Sequence, residues 1–159
     1  MKIEKALIGA AGEHLVLSRL LARGILASQA PFNAYKADIL VNPSDMGRPL
    51  LIQVKTRSGK GSQQKWPMGV KHEDMNDSNL FYCFVDLGQE HPFVYVIPAR
   101  VVAKVIKADY QNWLRSPGKR GQKHNDTDMR QISNTPGLPN ELEQHGWMDK
   151  YLEKWELLQ

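Results

Sequence analysis

The chain has 159 residues, 42% of them hydrophobic and 24% charged, a composition that excludes a disordered or fibrous protein. A balance of 21 Lys and Arg against 17 Asp and Glu gives a net charge of +4, a modest basic excess compatible with a polyanionic partner. Cys83 is the sole cysteine, so an intramolecular disulfide and a thiolate zinc site are excluded, and a reducing, cytoplasmic location is the expectation.

The first element predicted is a helix over residues 3–23, in which Leu7, Ala11, His14, Leu17 and Leu21 recur at helical spacing and Arg23-Gly24 supplies the stop. Glu4 and Glu13 interrupt its apolar stretch, so it reads as a helix of the fold and not a signal peptide. No run is long enough to span a membrane. "ILASQA" follows as a short strand, Pro31-Phe32-Asn33 as a turn and "YKADILV" as a second strand. "LLIQVKT" is a third strand, paired antiparallel with the second.

Residues 58–69, rich in Gly, Ser, Gln and Lys, read as a mobile loop running into a short helix over residues 70–75. "NLFYCFVDL" is a long apolar strand expected at the centre of the sheet, and "FVYVI" is the strand after it. Pro98 stands where a first-turn proline belongs, ahead of a helix through "ARVVAKVIKADYQNWL". From Arg115 to Gly137 the chain is polar and turn-rich. "MDKYLEKWELL" then places Met148, Tyr151, Leu152, Trp155 and Leu158 on one face of a final packing helix. Residues 1–114 form the expected core, and 115–159 a basic loop and C-terminal helix packed on the same domain.

Within the third strand Gln53 and Lys55 point to one face while Ile52 and Val54 point to the other. Burying an amide and an ammonium on one face requires something there to answer them. Asp38 on the neighbouring strand can do so. Glu13 lies close to the apolar side of the first helix, where Gly9, Ala10, Ala11 and Gly12 would let that helix approach the sheet. Taken singly, each residue has a plainer explanation as a solvated, locally bonded or snorkelling side chain. Taken together they make a polar pocket.

Glu13 on a leading helix, Asp38 near a strand end and Gln53-Val54-Lys55 on the next strand resemble the PD-(D/E)XK nuclease superfamily. The resemblance covers roughly residues 5–110 and is strongest to Mrr-like branches in which Gln replaces the acid of the terminal motif. It implies a restriction endonuclease-like α/β core of a helix, a three-stranded antiparallel meander, a helix and further strands, with a mixed central sheet flanked by helices. It also implies a phosphodiester hydrolase acting on DNA, as an endonuclease, with Mg2+ or Mn2+ as cofactor. Asp38 would anchor the metal, Gln53 supply an amide oxygen, and the Val54 backbone carbonyl complete the ligands. Lys55 would orient or polarise the attacking water, and Glu13 would hold a water at the metal or assist a second ion. The sequence departs from the commoner pattern at Gln53, which is neutral, and at Ala37, where proline is usual.

Arg57, Lys60 and Lys65 leave the sheet beside this site and are candidates to grip a DNA backbone. Arg115, Lys119, Arg120 and Lys123, flanked by Trp113, form a second basic cluster with the same potential. Neither loop carries a GxxxxGK[ST] phosphate cradle, so an NTPase has no support. Residues 71–77, with His72, Glu73, Asp74 and Asp77, lack a metal-ligand spacing and read as caps of a short helix. Trp147 and Trp155 read as core, with a homodimer also possible. Two alternatives stand beside the nuclease: an inactive module of the same fold that binds nucleic acid or protein, and a small α/β protein whose pocket takes an unrelated ligand.

Overall fold

A computed structural model describes residues 3–42, 47–59, 64–134 and 146–159. In chain order the elements are α1 (Lys5–Ala22), β1 (Ala27–Gln29), β2 (Ile39–Val41), β3 (Leu50–Arg57), β4 (Lys65–Gly69), β5 (Leu80–Asp86), β6 (Phe93–Pro98), α2 (Ala99–Arg115) and β7 (Met129–Ser133). Three short 3-10 turns, Val70–Glu73, Asp149–Tyr151 and Trp155–Leu158, complete the list. The five-stranded sheet runs β1-β2-β3-β5-β6, with β3 at its middle; β4 and β7 make a separate two-stranded sheet. β1, β2 and β3 form the expected antiparallel meander, while β3 and β5 are parallel, so the main sheet is mixed. β5, expected at the centre, lies one strand off it.

Apolar alternation along β3 and β5 divides the core between the two faces of the sheet. Ile52 and Val54 join Val16 and Leu20 of α1, Ile39, Cys83, Val85 and Trp155 on one face. Leu80, Tyr82 and Phe84 join Val102 and Ile106 of α2, Trp66 and Met68 of β4, Ile132 of β7 and Trp147 on the other. Burial holds the Cys83 thiol well above its ordinary pKa, which suits a core residue.

Three expectations are corrected. The inward face of α1 is Gly12, Val16 and Leu20, whereas Leu7 and Leu21 are exposed. Apolar residues surround this helix, so periodicity alone misassigned its phase; Gly12 set it by fitting against Thr56 of β3. The loop expected over residues 58–69 instead ends in β4, whose Trp66 and Met68 are buried. β4 pairs antiparallel with β7 from the stretch read as turns.

The final helix is replaced by two 3-10 turns separated by residues 152–154, with Glu153 at φ 51. Leu152 bridges Tyr95, and Glu153 N–H donates to the Val94 carbonyl at 2.8 Å, so the tail runs along the outer edge of β6. That covers an edge strand which would otherwise present unpaired backbone groups. Trp147 and Trp155 are both buried, on opposite faces of the sheet. No helix among the described residues is long and apolar enough to cross a membrane.

Candidate active site

β2 pairs with β3 only from Leu50 to Ile52, yet β3 continues to Arg57 with β5 alone beside it. From Gln53 onward the β2-side edge of the central strand is therefore open. Asp38, one residue before β2, occupies the start of that gap. Its N–H donates to the Ile52 carbonyl at 2.8 Å and its carbonyl accepts from Ala30 N–H at 2.9 Å. Its Oδ2 accepts from the Gln53 side-chain amide at 2.6 Å and from Val54 N–H at 2.7 Å. A carboxylate can only accept, so Gln53 must turn its NH2 group towards Asp38, which leaves Oε1 as its remaining acceptor. The N–H and C=O of one strand residue leave by the same edge, so the Val54 carbonyl also faces the open side.

Lys55 follows two residues on, and its register partner Phe84, like Tyr82 opposite Gln53, belongs to the α2 side of the core. None of the ion pairs among the described residues involves Lys55. Burial pushes its ammonium below the ordinary lysine pKa, the Asp38 carboxylate pulls it back, and Lys71 pushes it down further. Glu13 arrives from α1, on the other side of the sheet. Its carboxyl is held above the usual range by burial first and by the Asp38 charge second, with His14 opposing. Glu13, Asp38, Gln53 and Lys71 line one cleft of about 780 Å³, closed on its other side by residues 29–37. Lys55 does not line the cleft; its charge is felt by His72 beneath.

The donor set is chemically coherent. Two carboxylates, an amide oxygen and a backbone carbonyl are all hard oxygen donors, the kind that Mg2+ or Mn2+ takes in preference to sulfur or imidazole. Among the described residues no three His, Cys, Asp and Glu side chains gather into a metal centre, so the two acids here would depend on neutral oxygens and water to complete a shell.

The expected basic residues are placed differently. Arg57 ion-pairs with Asp86, which is fully buried, donates to the Gly59 carbonyl at 2.7 Å, and does not line the cleft. Lys60 lies outside the described residues. Lys65 is exposed at the start of β4. Arg115, Lys119, Arg120 and Lys123 are exposed at and beyond the end of α2, where Trp113 stacks on His124 at 4.0 Å; none of the four lines the cleft.

Three neighbours were not foreseen as part of the site. Lys71 lines the cleft from the first 3-10 turn. His72 is 2% exposed and shares a 2.7 Å hydrogen bond with the Tyr82 hydroxyl, which also contacts Met75 sulfur at 3.6 Å. Burial, Lys55 and Lys71 bring His72 down to about 4, while burial and Asp38 raise Tyr82. The signal available was the pairing of a tyrosine on β5 opposite Gln53; the reach of His72 to it depends on tertiary packing. Of the acids that follow His72 in the chain, Glu73 pairs with Arg130 and Asp77 with Lys36.

Comparison with solved structures adds the fold. The chain is similar in fold to a bacterial homing endonuclease. That protein, I-Ssp6803I, aligns over 98% of this chain and 91% of its own with a TM-score of 0.56 at 18% sequence identity. The likeness is one of fold. Neither a protein-family model nor the sequence of a curated protein matches the chain.

Proposed function

We propose that this chain is a divalent-metal-dependent endonuclease of the PD-(D/E)XK type that hydrolyses phosphodiester bonds in DNA. The observation that carries the proposal is the Asp38 carboxylate, fixed by Gln53 and Val54 at the open edge of the central strand with Glu13 beside it in one cleft. The likeness to a homing endonuclease supports it at the level of fold.

Hydrolysis needs water to attack phosphorus while the bond to the leaving sugar oxygen breaks and that oxygen gains a proton. A bound divalent cation would supply charge stabilisation on the phosphate and acidify water. Asp38 and Glu13 would hold it, with the Gln53 amide oxygen and the Val54 carbonyl as neutral partners. Asp38 is preorganised for this, since two donors on Oδ2 fix the carboxylate and leave Oδ1 directed elsewhere. Lys55 holds its proton less tightly than an exposed lysine; it does not line the cleft, but its ammonium interacts with the Asp38 charge and would from there balance the negative charge that builds on the phosphate. Lys71 would draw the phosphate into the cleft.

The test is titration of Mg2+ and Mn2+ into wild type and Asp38→Ala by calorimetry, alongside cleavage of linear, nicked and branched DNA. Metal binding and cleavage in wild type, both lost in the variant, are expected. A second reading is an inactive module of the same fold, favoured by one observation: the acid of the commoner motif is replaced by an amide that bonds to the anchoring carboxylate. DNA binding with no metal uptake and no cleavage by the folded wild type would select it.

A further inference from the structure

The segment between β1 and β2 forms the wall of the cleft facing Asp38 and Gln53, and it carries two aromatic rings that the core does not use. Phe32 is 95% exposed and Tyr35 83%, the two most exposed large hydrophobic side chains among the described residues. A short polar loop would close this connection without them. The backbone that presents them is constrained. Asn33 and Lys36 both occupy the left-handed region, at φ 61 and 65, and Ala34 N–H donates to the Pro31 carbonyl at 2.9 Å. Lys36 anchors the segment through Asp77 at 2.7 Å, and its ammonium sits 4.9 Å from the Tyr35 ring centroid.

Left-handed conformations are unfavourable for side chains with a Cβ and persist where the surroundings enforce them. Here they turn two apolar rings towards water at the rim of a polar cleft. The cleft floor is acidic, with Glu13 and Asp38, while Lys36 and Lys71 stand on its walls. Flat apolar faces between cations and a phosphate-hydrolysing centre match one ligand chemistry: a nucleobase still attached to its charged backbone. A protein partner would ask for a continuous apolar patch, whereas these rings are set in a cleft whose only other apolar members are the small residues Ala30, Pro31, Ala34 and Ala37.

We infer that Phe32 and Tyr35 stack on nucleobases that have left the double helix next to the phosphate held at Asp38. This deepens the nuclease reading and rests on it: the substrate class becomes DNA whose bases are unpaired or pulled out of the stack at the cleaved step. Every base has a π face, so the rings select for the unstacked state and not for a sequence.

The test compares three fluorescent duplexes in Ca2+ without cleavage: fully paired, with an internal unpaired bulge, and with the same bulge made of abasic residues. Wild type, Asp38→Ala and Phe32→Ala/Tyr35→Ala are titrated with each, and thermal melts confirm that the double variant folds. Wild type is expected to bind the bulged duplex about tenfold more tightly than the paired one, from the usual worth of base–aromatic stacking. The abasic bulge and the double variant should each lose that preference, with paired-duplex affinity retained. Equal affinity for the bulged and abasic duplexes, a preference that survives loss of both rings, or no binding to any duplex would overturn the inference. Cleavage in Mg2+ is scored separately. Ring-dependent preference without cleavage would sink the hydrolytic reading alone, and cleavage indifferent to the rings would sink the stacking alone.

Discussion

Gln53 sets the chemistry of the site because its NH2 group lies 2.6 Å from an Asp38 carboxylate oxygen. Replacing it by Glu puts two carboxylates where there was a donor and an acceptor, and like charges at that separation disfavour joint ionisation. Gln53→Glu is therefore expected to lower the melting temperature at neutral pH without metal and to gain a larger stabilisation from Mg2+ than wild type, since a cation relieves the repulsion. Thermal melts with and without Mg2+ read both effects; an unchanged metal-free melt would mean that the two side chains do not meet. His72 makes a second residue-scale prediction. Its pKa of about 4 lies below the ordinary 6.5, so the unfolded chain binds the proton that the folded chain refuses. Stability from this group is full above about pH 6.5 and falls as pH drops towards 4, by about 3 kcal/mol in total. His72→Phe should flatten this part of the pH profile in denaturant titrations, whereas an equally steep profile in the variant would assign the acid sensitivity elsewhere.

At the scale of elements, α1 is held against the sheet by the absence of a side chain. A Cβ at Gly12 would overlap the Thr56 hydroxyl and lie 2.8 Å from its methyl carbon. The Thr56 hydroxyl is also buried without a hydrogen-bond partner, so this contact exists for closeness and not for polarity. Gly12→Ala should destabilise the fold by about 2 kcal/mol through overpacking, and should shift Glu13, its neighbour, away from Asp38. Thr56→Ala in the same chain should recover most of the loss, which a double-mutant cycle by urea denaturation measures. Simple additivity would place the strain elsewhere. The same contact explains why the elements were only partly legible. α2, β3, β5 and β6 announce themselves because their apolar patterns are dense and their ends carry Pro, Gly or Asn. β7 offers one buried apolar side chain before its last residue, Ile132, and pairs with β4, more than sixty residues earlier, through contacts no local pattern records. β4 is interrupted by Pro67, tolerated in its two-stranded sheet. The tail has helical apolar spacing, but its backbone follows the edge of β6 and the network around Glu153, which accepts from Val94 N–H and Trp155 and pairs with Arg19. Asp38, Gln53 and their meeting could be anticipated from alternation on adjacent strands; Lys71 and His72 could not, because a 3-10 turn carries them in from outside the sheet.

At the scale of the whole molecule, the net charge of +4 is too small to act as a uniform field, so under the proposed nuclease reading affinity for DNA would come from where the cations stand. Two groups compete. Lys36 and Lys71 flank the cleft, and Arg115, Lys119, Arg120 and Lys123 stand exposed at and after the end of α2. No ion pair among the described residues engages any of these four, so they are free to neutralise phosphates. Each phosphate contact releases condensed counterions and steepens the fall of affinity with salt by close to one unit on a log–log plot. If all four reach the duplex, changing them together to Gln should reduce that slope by about 3 to 4 while leaving the metal dependence of cleavage intact. Neutralising Lys71 should reduce it by about 1 and also weaken cleavage, because it sits at the site, whereas Lys36 is already paired with Asp77. A quadruple variant with the wild-type slope would make the α2 loop a solvated surface and confine the DNA to the cleft. Binding isotherms at several salt concentrations, with Asp38→Ala as the non-cleaving background, separate the two footprints.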